Sequence, residues 1–192
     1  MKSLRDYFLL TACLLLCSFS ASAQAPANEF KKDGLSFSYP AGWTFNDTSN
    51  ADAQQMTFGR ADSEAQITVF VFRTPVRKPE QIAEAKKVLV DPYIGSTKKQ
   101  FEQADPHTQS SPAATEIGGI ASEGVKIRAS LDGVPGVAEI DWAVVGQRLV
   151  VLTFLGPDKA LTKAMPTWDL MRTSLKVEEP QPKAQPAASP KP

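Results

Sequence analysis

The chain has 192 residues, 42% of them hydrophobic and 22% charged, with 21 basic and 21 acidic side chains. That length admits one domain or two very small ones, and the apolar share excludes wholesale disorder. The absence of a basic excess argues against a nucleic-acid binder and gives no reason to expect an anionic membrane surface as partner.

The chain opens Met1-Lys2-Ser3-Leu4-Arg5-Asp6-Tyr7, continues through an apolar run from Phe8 to Phe19, and reaches Ala21-Ser22-Ala23-Gln24-Ala25. A short basic start, an apolar stretch and an Ala-x-Ala site make a secretory signal peptide, residues 1–23, cleaved after Ala23. The run is too short to span a bilayer comfortably, so no transmembrane span is expected. Both cysteines, Cys13 and Cys17, lie in this segment. Leu10-Thr11-Ala12-Cys13 resembles a lipoprotein box, which makes anchoring at Cys13 the alternative to a periplasmic or secreted product. Cleavage at Ala23 leaves a cysteine-free chain that must be held by a packed core rather than disulfides.

Residues 24–29 read as a short lead-in and residues 30–177 as the folded domain. From Glu178 the sequence is rich in Pro and Ala with no larger aliphatic residue, so 178–192 read as a disordered tail.

Within the domain, Leu35, Phe37 and Tyr39 alternate with serines, as on a half-buried strand that ends in a turn at Pro40-Ala41-Gly42-Trp43. Gln54 to Arg60 and Ala65 to Arg73 predict two more strands, the second apolar on both faces and therefore covered on both sides. Ile82, Ala85 and Leu89 fall on one face of a helix from Pro79 to Val90. Asp91-Pro92 bends or stops it, and a second piece runs from Tyr93 to Phe101. Asp105 to Thr115 reads as a polar loop. A long strand follows from Ile117 to Leu131, bent at Gly118, Gly119 and Gly124.

A hairpin with Gly133-Val134 as its loop would set Lys126 opposite Asp141 and Arg128 opposite Glu139, apolar partners filling the other face. Gly146-Gln147 closes the next hairpin, whose returning strand runs from Arg148 to Leu155. A last helix starts near Pro166 and repeats Trp168, Met171 and Leu175. The expected fold class is α+β, an antiparallel β-sheet with helices against it.

The opening strand and turn, Gly34-Leu35-Ser36-Phe37-Ser38-Tyr39-Pro40-Ala41-Gly42-Trp43, resembles that of PsbP-like domains. These are extrinsic subunits of photosystem II and secreted bacterial relatives of the DcrB type. The element order and the closing Ser174 to Val177 are also similar, so the resemblance covers about Phe30 to Val177. It implies an α-β-α sandwich, an exported location and a non-enzymatic binding or assembly role, and it brings no catalytic motif.

Catalytic signals are sparse. His107 is the one histidine of the chain and sits in the polar loop. No Gly-x-Ser-x-Gly elbow is present. Ser96-Thr97-Lys98-Lys99 matches Ser-x-x-Lys without the accompanying Ser-Asp-Asn and Lys-Thr-Gly elements, so a Ser96/Lys99 hydrolase is a remote alternative. Asp62 and Glu64 offer two carboxylates to a hard cation, but a hairpin turn explains them. Asn46-Asp47-Thr48 is a glycosylation sequon that matters only in a eukaryotic secretory pathway. No metal and no cofactor is expected.

Trp43, Trp142 and Trp168 are the tryptophans available for work beyond packing, and Trp43 is the one placed for a groove. The candidate binding residues are Trp43, Tyr39 and Trp168. The expected function is a non-catalytic envelope protein that binds a protein partner. The alternative is a carrier of a small apolar ligand between sheet and helix near Trp43 and Trp168.

Overall fold

The computed structural model describes residues 27–178. In chain order these form β1 (Ala27–Lys32), β2 (Leu35–Pro40), β3 (Thr44–Asp47), β4 (Ala53–Arg60) and β5 (Ser63–Pro75). Then come helix α1 (Pro79–Ala85), a π-helical turn (Lys86–Val90) and helix α2 (Asp91–Ala104). After these run β6 (Gln109–Ile117), β7 (Ile120–Leu131), β8 (Val134–Val145), β9 (Arg148–Pro157), helix α3 (Asp158–Ser174) and β10 (Lys176–Val177). The segment read as a signal peptide, with Cys13, Cys17 and Ala23, lies outside the described residues, as do residues 179–192 of the expected tail.

Four hairpins turn where two consecutive residues accept positive φ. Asp33-Gly34, Gly118-Gly119, Asp132-Gly133 and Gly146-Gln147 have φ between 49° and 81°. The strands pair directly across each of these two-residue loops. These are type I′ turns, whose twist matches that of the flanking strands.

Two of the turns correct the sequence reading. Gly118-Gly119 does not bend one long strand; it reverses the chain, so Ile117 pairs with Ile120. The loop of the next hairpin is Asp132-Gly133, one residue earlier than expected, which moves the register by two. Lys126 therefore faces Glu139, Arg128 faces Val137, and Asp141 faces Gly124. A two-residue slip keeps every side chain on its face, so the apolar pattern alone does not distinguish the two registers.

The seven-stranded antiparallel sheet has the order β3-β4-β5-β9-β8-β7-β6, and β1-β2-β10 form a second, three-stranded sheet. The large sheet is the middle layer. On one face α3 and the small sheet bring Phe37, Trp168 and Met171 against Phe58 and Phe154. On the other, the α1–α2 segment brings Val90 and Phe101 against Ile127, Ile140 and Val151. The architecture is α+β, an antiparallel sheet packed between helices.

Several element limits differ from the sequence reading for identifiable reasons. β1 begins at Ala27, within the expected lead-in, because Phe30 stacks on Phe37 with ring centroids 5.0 Å apart. Residues read as a polar loop form β6, an edge strand that pairs only with β7 and so tolerates Pro112. α3 begins at Asp158, eight residues before Pro166. Burial of Leu161 and Ala164 outweighs the hydrogen bond that Pro166 removes from the helix interior. The two expected helical pieces are joined by the π turn, and Asp91-Pro92 occupies the first turn of α2. β3 and β10 are the remaining strands that the pattern did not indicate.

Candidate functional site

Trp43 follows the Ala41-Gly42 turn, where Gly42 has φ +86°. Its backbone N–H donates to the Pro40 carbonyl. The indole is 6% exposed and floors a cleft of about 510 Å³ between the β4–β5 turn and the first half of α3. The β4–β5 turn supplies Arg60, Asp62 and Glu64, and α3 supplies Lys159, Lys163 and Thr167. Arg60 and Asp62 form a two-armed ion pair, with Nη2 to Oδ2 at 2.8 Å. That hydrogen bond holds the Asp62 carboxyl below the usual carboxylate range, and Lys163 adds to the effect. The pairing explains Asp62 without a metal. Among the described residues no cluster of His, Cys, Asp or Glu is arranged to hold one.

The other two candidate aromatics are not at this cleft. Trp168 is 2% exposed and stacks on Phe154 at 5.1 Å and 7°. Tyr39 is partly buried, with its ring tilted against Phe58 at 5.2 Å. Both belong to the same buried cluster as Trp43, but only Trp43 reaches the cleft wall. The Trp43 cleft has a charged rim, and Trp168 does not line it. A more apolar cleft lies on the opposite face of the sheet, beside α1.

The catalytic candidates do not assemble. Ser96 Oγ donates to the Tyr93 carbonyl of its own helix at 2.9 Å. No hydrogen bond joins Ser96 to Lys99 among the described residues. His107 is exposed in the turn before β6, and its backbone N–H donates to Asp105 Oδ1 at 2.8 Å. Asp105 Oδ2 accepts the Ser130 N–H at 2.7 Å, so Asp105 staples that turn to β7. These N–H groups hold the Asp105 carboxyl below its ordinary range. Glu139 accepts Lys126 Nζ at 2.7 Å, which accounts for it as a cross-strand ion pair.

Asp141 is the residue whose situation the sequence misrepresented. It is 0% exposed, on the α3 face of β8, and neither carboxylate oxygen has a hydrogen-bond donor among the described residues. Ser122 Oγ, two residues along β7 from Gly124, is likewise buried without a partner among them. Room for the carboxyl exists because residue 124 is glycine; a Cβ there would collide with Asp141 Oδ1. Burial pushes the Asp141 carboxyl up to about 7, with Glu139 adding to the rise while Arg172 and Lys126 oppose it. The expected pairing with Lys126 concealed this, since an ion-paired Asp would have titrated low.

No family model matches the chain, and no curated protein matches it. Solved structures do. Cyanobacterial PsbP (CyanoP) from Synechocystis sp. PCC 6803 superimposes with a TM-score of 0.51 at 15% identity, covering 85% of this chain and 99% of that one. A protein from Bacteroides thetaiotaomicron VPI-5482 gives 0.51 at 12% identity, covering 81% of this chain and 50% of that one. LpqN of Mycobacterium tuberculosis, described as involved in cell envelope biogenesis, gives 0.46 at 10% identity over 80% of this chain and 91% of that one. The CyanoP match shows that the fold of this chain is PsbP-like.

Proposed function

We propose that this chain, built on the PsbP-like fold, is an exported, non-catalytic protein of the cell envelope that binds a protein partner through the Trp43 cleft. The observation that carries this reading is a nearly buried indole at the base of an open cleft with both signs of charge on its rim. An aromatic anchor in a pocket surrounded by polar and charged groups is the anatomy of a protein interface centre. Lys159 and Lys163 stand one turn apart on α3, facing the paired Arg60 and Asp62. A partner segment with an apolar or aromatic side chain beside a carboxylate complements that arrangement. The scattered Ser96, Lys99 and His107 favour a non-catalytic role. Export rests on the N-terminal sequence, with a periplasmic or secreted product after cleavage near Ala23 and anchoring at Cys13 as the alternative. Among the described residues no helix is long and apolar enough to cross a membrane.

The test is site-specific photocross-linking in envelope preparations from cells producing the full chain. A cross-linker at Lys163 gives a discrete adduct that Lys159→Glu abolishes, whereas one at Val88, on the opposite face, does not give it. No adduct at Lys163, or the same adducts from both positions, would overturn the reading. Intact-mass measurement of the purified protein reports cleavage after Ala23 or retention of a lipidated Cys13.

A further inference from the structure

The α1 segment is amphipathic in sequence, yet none of its residues is buried. Ile82 and, in the π turn, Val88 are 41% and 55% exposed. A helix with an apolar stripe normally lays that stripe on the sheet. Here only Ala85 and Leu89 of the stripe pack against the sheet-side cluster, both partly buried, and the segment is attached at both ends. At the start, Gln81 Oε1 accepts the N–H groups of Arg77 and Lys78. Val76 N–H donates to the Gln147 carbonyl at 2.7 Å, and Arg77 Nε donates to Gln147 Oε1. At the far end Val90 is fully buried, and the hydroxyls of Tyr93 and Thr153 share a hydrogen bond of 3.0 Å.

The resulting cleft measures about 530 Å³, with Phe72, Val76 and Leu149 on the sheet side and Ala85, Val88 and Leu89 on the helix side. Phe72 and Leu89 also line a neighbouring recess of about 180 Å³, together with Phe70, Tyr93 and Val151. Two acidic residues, Asp52 and Glu84, stand at the rim, and no Lys or Arg lines either space. The Asp52 backbone is engaged by Asn50 and Arg73, but its carboxylate has no partner among the described residues, and neither has that of Glu84. An apolar space of this size, rimmed by carboxylates without partners among the described residues, has the chemistry of a small-molecule site for a particular shape and charge.

We propose that this cleft binds a single-chain amphiphile with a cationic head group, the alkyl chain lying between Phe72 and Leu89 and the head between Asp52 and Glu84. The site is on the opposite face of the sheet from the Trp43 cleft, so it stands or falls independently of partner binding there. π-helical turns are frequent at functional sites, and this one sets Val88 and Leu89 over the cleft.

The test is calorimetric titration of the full chain with dodecyltrimethylammonium and with dodecanoate, both below their micelle concentrations. The expected result is one saturable site binding the cationic probe at least about tenfold more tightly, ~1.4 kcal/mol. The Asp52→Asn/Glu84→Gln pair erases that preference while chain binding remains. Val88→Asn, at an exposed position, weakens both probes, and Lys163→Glu in the other cleft changes neither. Backbone amide shifts on adding the cationic probe concentrate at residues 85–89 and 72. Absence of saturable binding, equal affinity for the two head groups, or shifts centred on Trp43 would each overturn the proposal.

Discussion

Asp141 brings a carboxyl into a layer where no donor among the described residues reaches it, and its titration near pH 7 follows from that burial. The unfolded carboxyl titrates near 3.8, so between about pH 4 and pH 7 the folded state holds a proton that the unfolded state has lost. Stability contributed by this residue is therefore greatest at low pH and falls as pH rises towards 7, the opposite of a salt-bridged Asp. Asp141→Asn, which mimics the protonated side chain, is expected to stabilise the protein at pH 8 by roughly 2–4 kcal/mol and to flatten the change between pH 5.5 and 8. Urea unfolding of both proteins at several pH values measures it; an unchanged slope would mean that Asp141 is solvated. Gly124→Ala should cost about 1–3 kcal/mol in the same assay, because the new methyl meets the Asp141 carboxyl. The alternation of residues 120–145 placed Asp141 on its correct face. It did not give the partner, because a slip of two residues preserves the faces and exchanges Asp141 for Glu139 opposite Lys126.

At the scale of elements, the strongly periodic segments were legible and the edges were not. β2, β4, β5 and β9 each carry apolar side chains at the spacing of a sheet face, and the structure has strands there. β3, β6 and β10 are edge strands, short or polar, and exist because a neighbour offers a ladder to pair with. β1 is held mainly through Phe30. Phe30→Ala is expected to cost about 3–5 kcal/mol, as for a buried core aromatic, a loss that a mobile lead-in would not show. α3 carries Pro166 at an exposed interior position. Pro166→Ala restores a helical N–H donor and should stabilise by about 1–2 kcal/mol, partly offset by the greater freedom of the unfolded chain. A thermal melt that falls instead would show that the proline geometry is needed to seat Leu161 and Trp168 together.

For the molecule as a whole, one sheet serves two cores. Trp43 and Trp168 report on the α3 side, and Trp142 packs with the α2 side, where Lys86 lies 5.5 Å from its ring centroid. Because β5, β8 and β9 place side chains in both clusters, unfolding should be a single transition. Tryptophan fluorescence and far-UV circular dichroism are expected to give coincident urea midpoints, and separated midpoints would mean that the faces unfold independently. The sequence by itself determined the α+β class and the layering of helices on an antiparallel sheet, because these depend on periodicity and residue type within short windows. Tertiary structure alone decided the rest. It put Trp43 at a cleft and Trp168 in the core, left the α1 stripe beside an open apolar space, and buried Asp141 opposite a glycine. Each of these outcomes depends on which distant residue lies across the gap, and spacing along one chain carries no record of that distance.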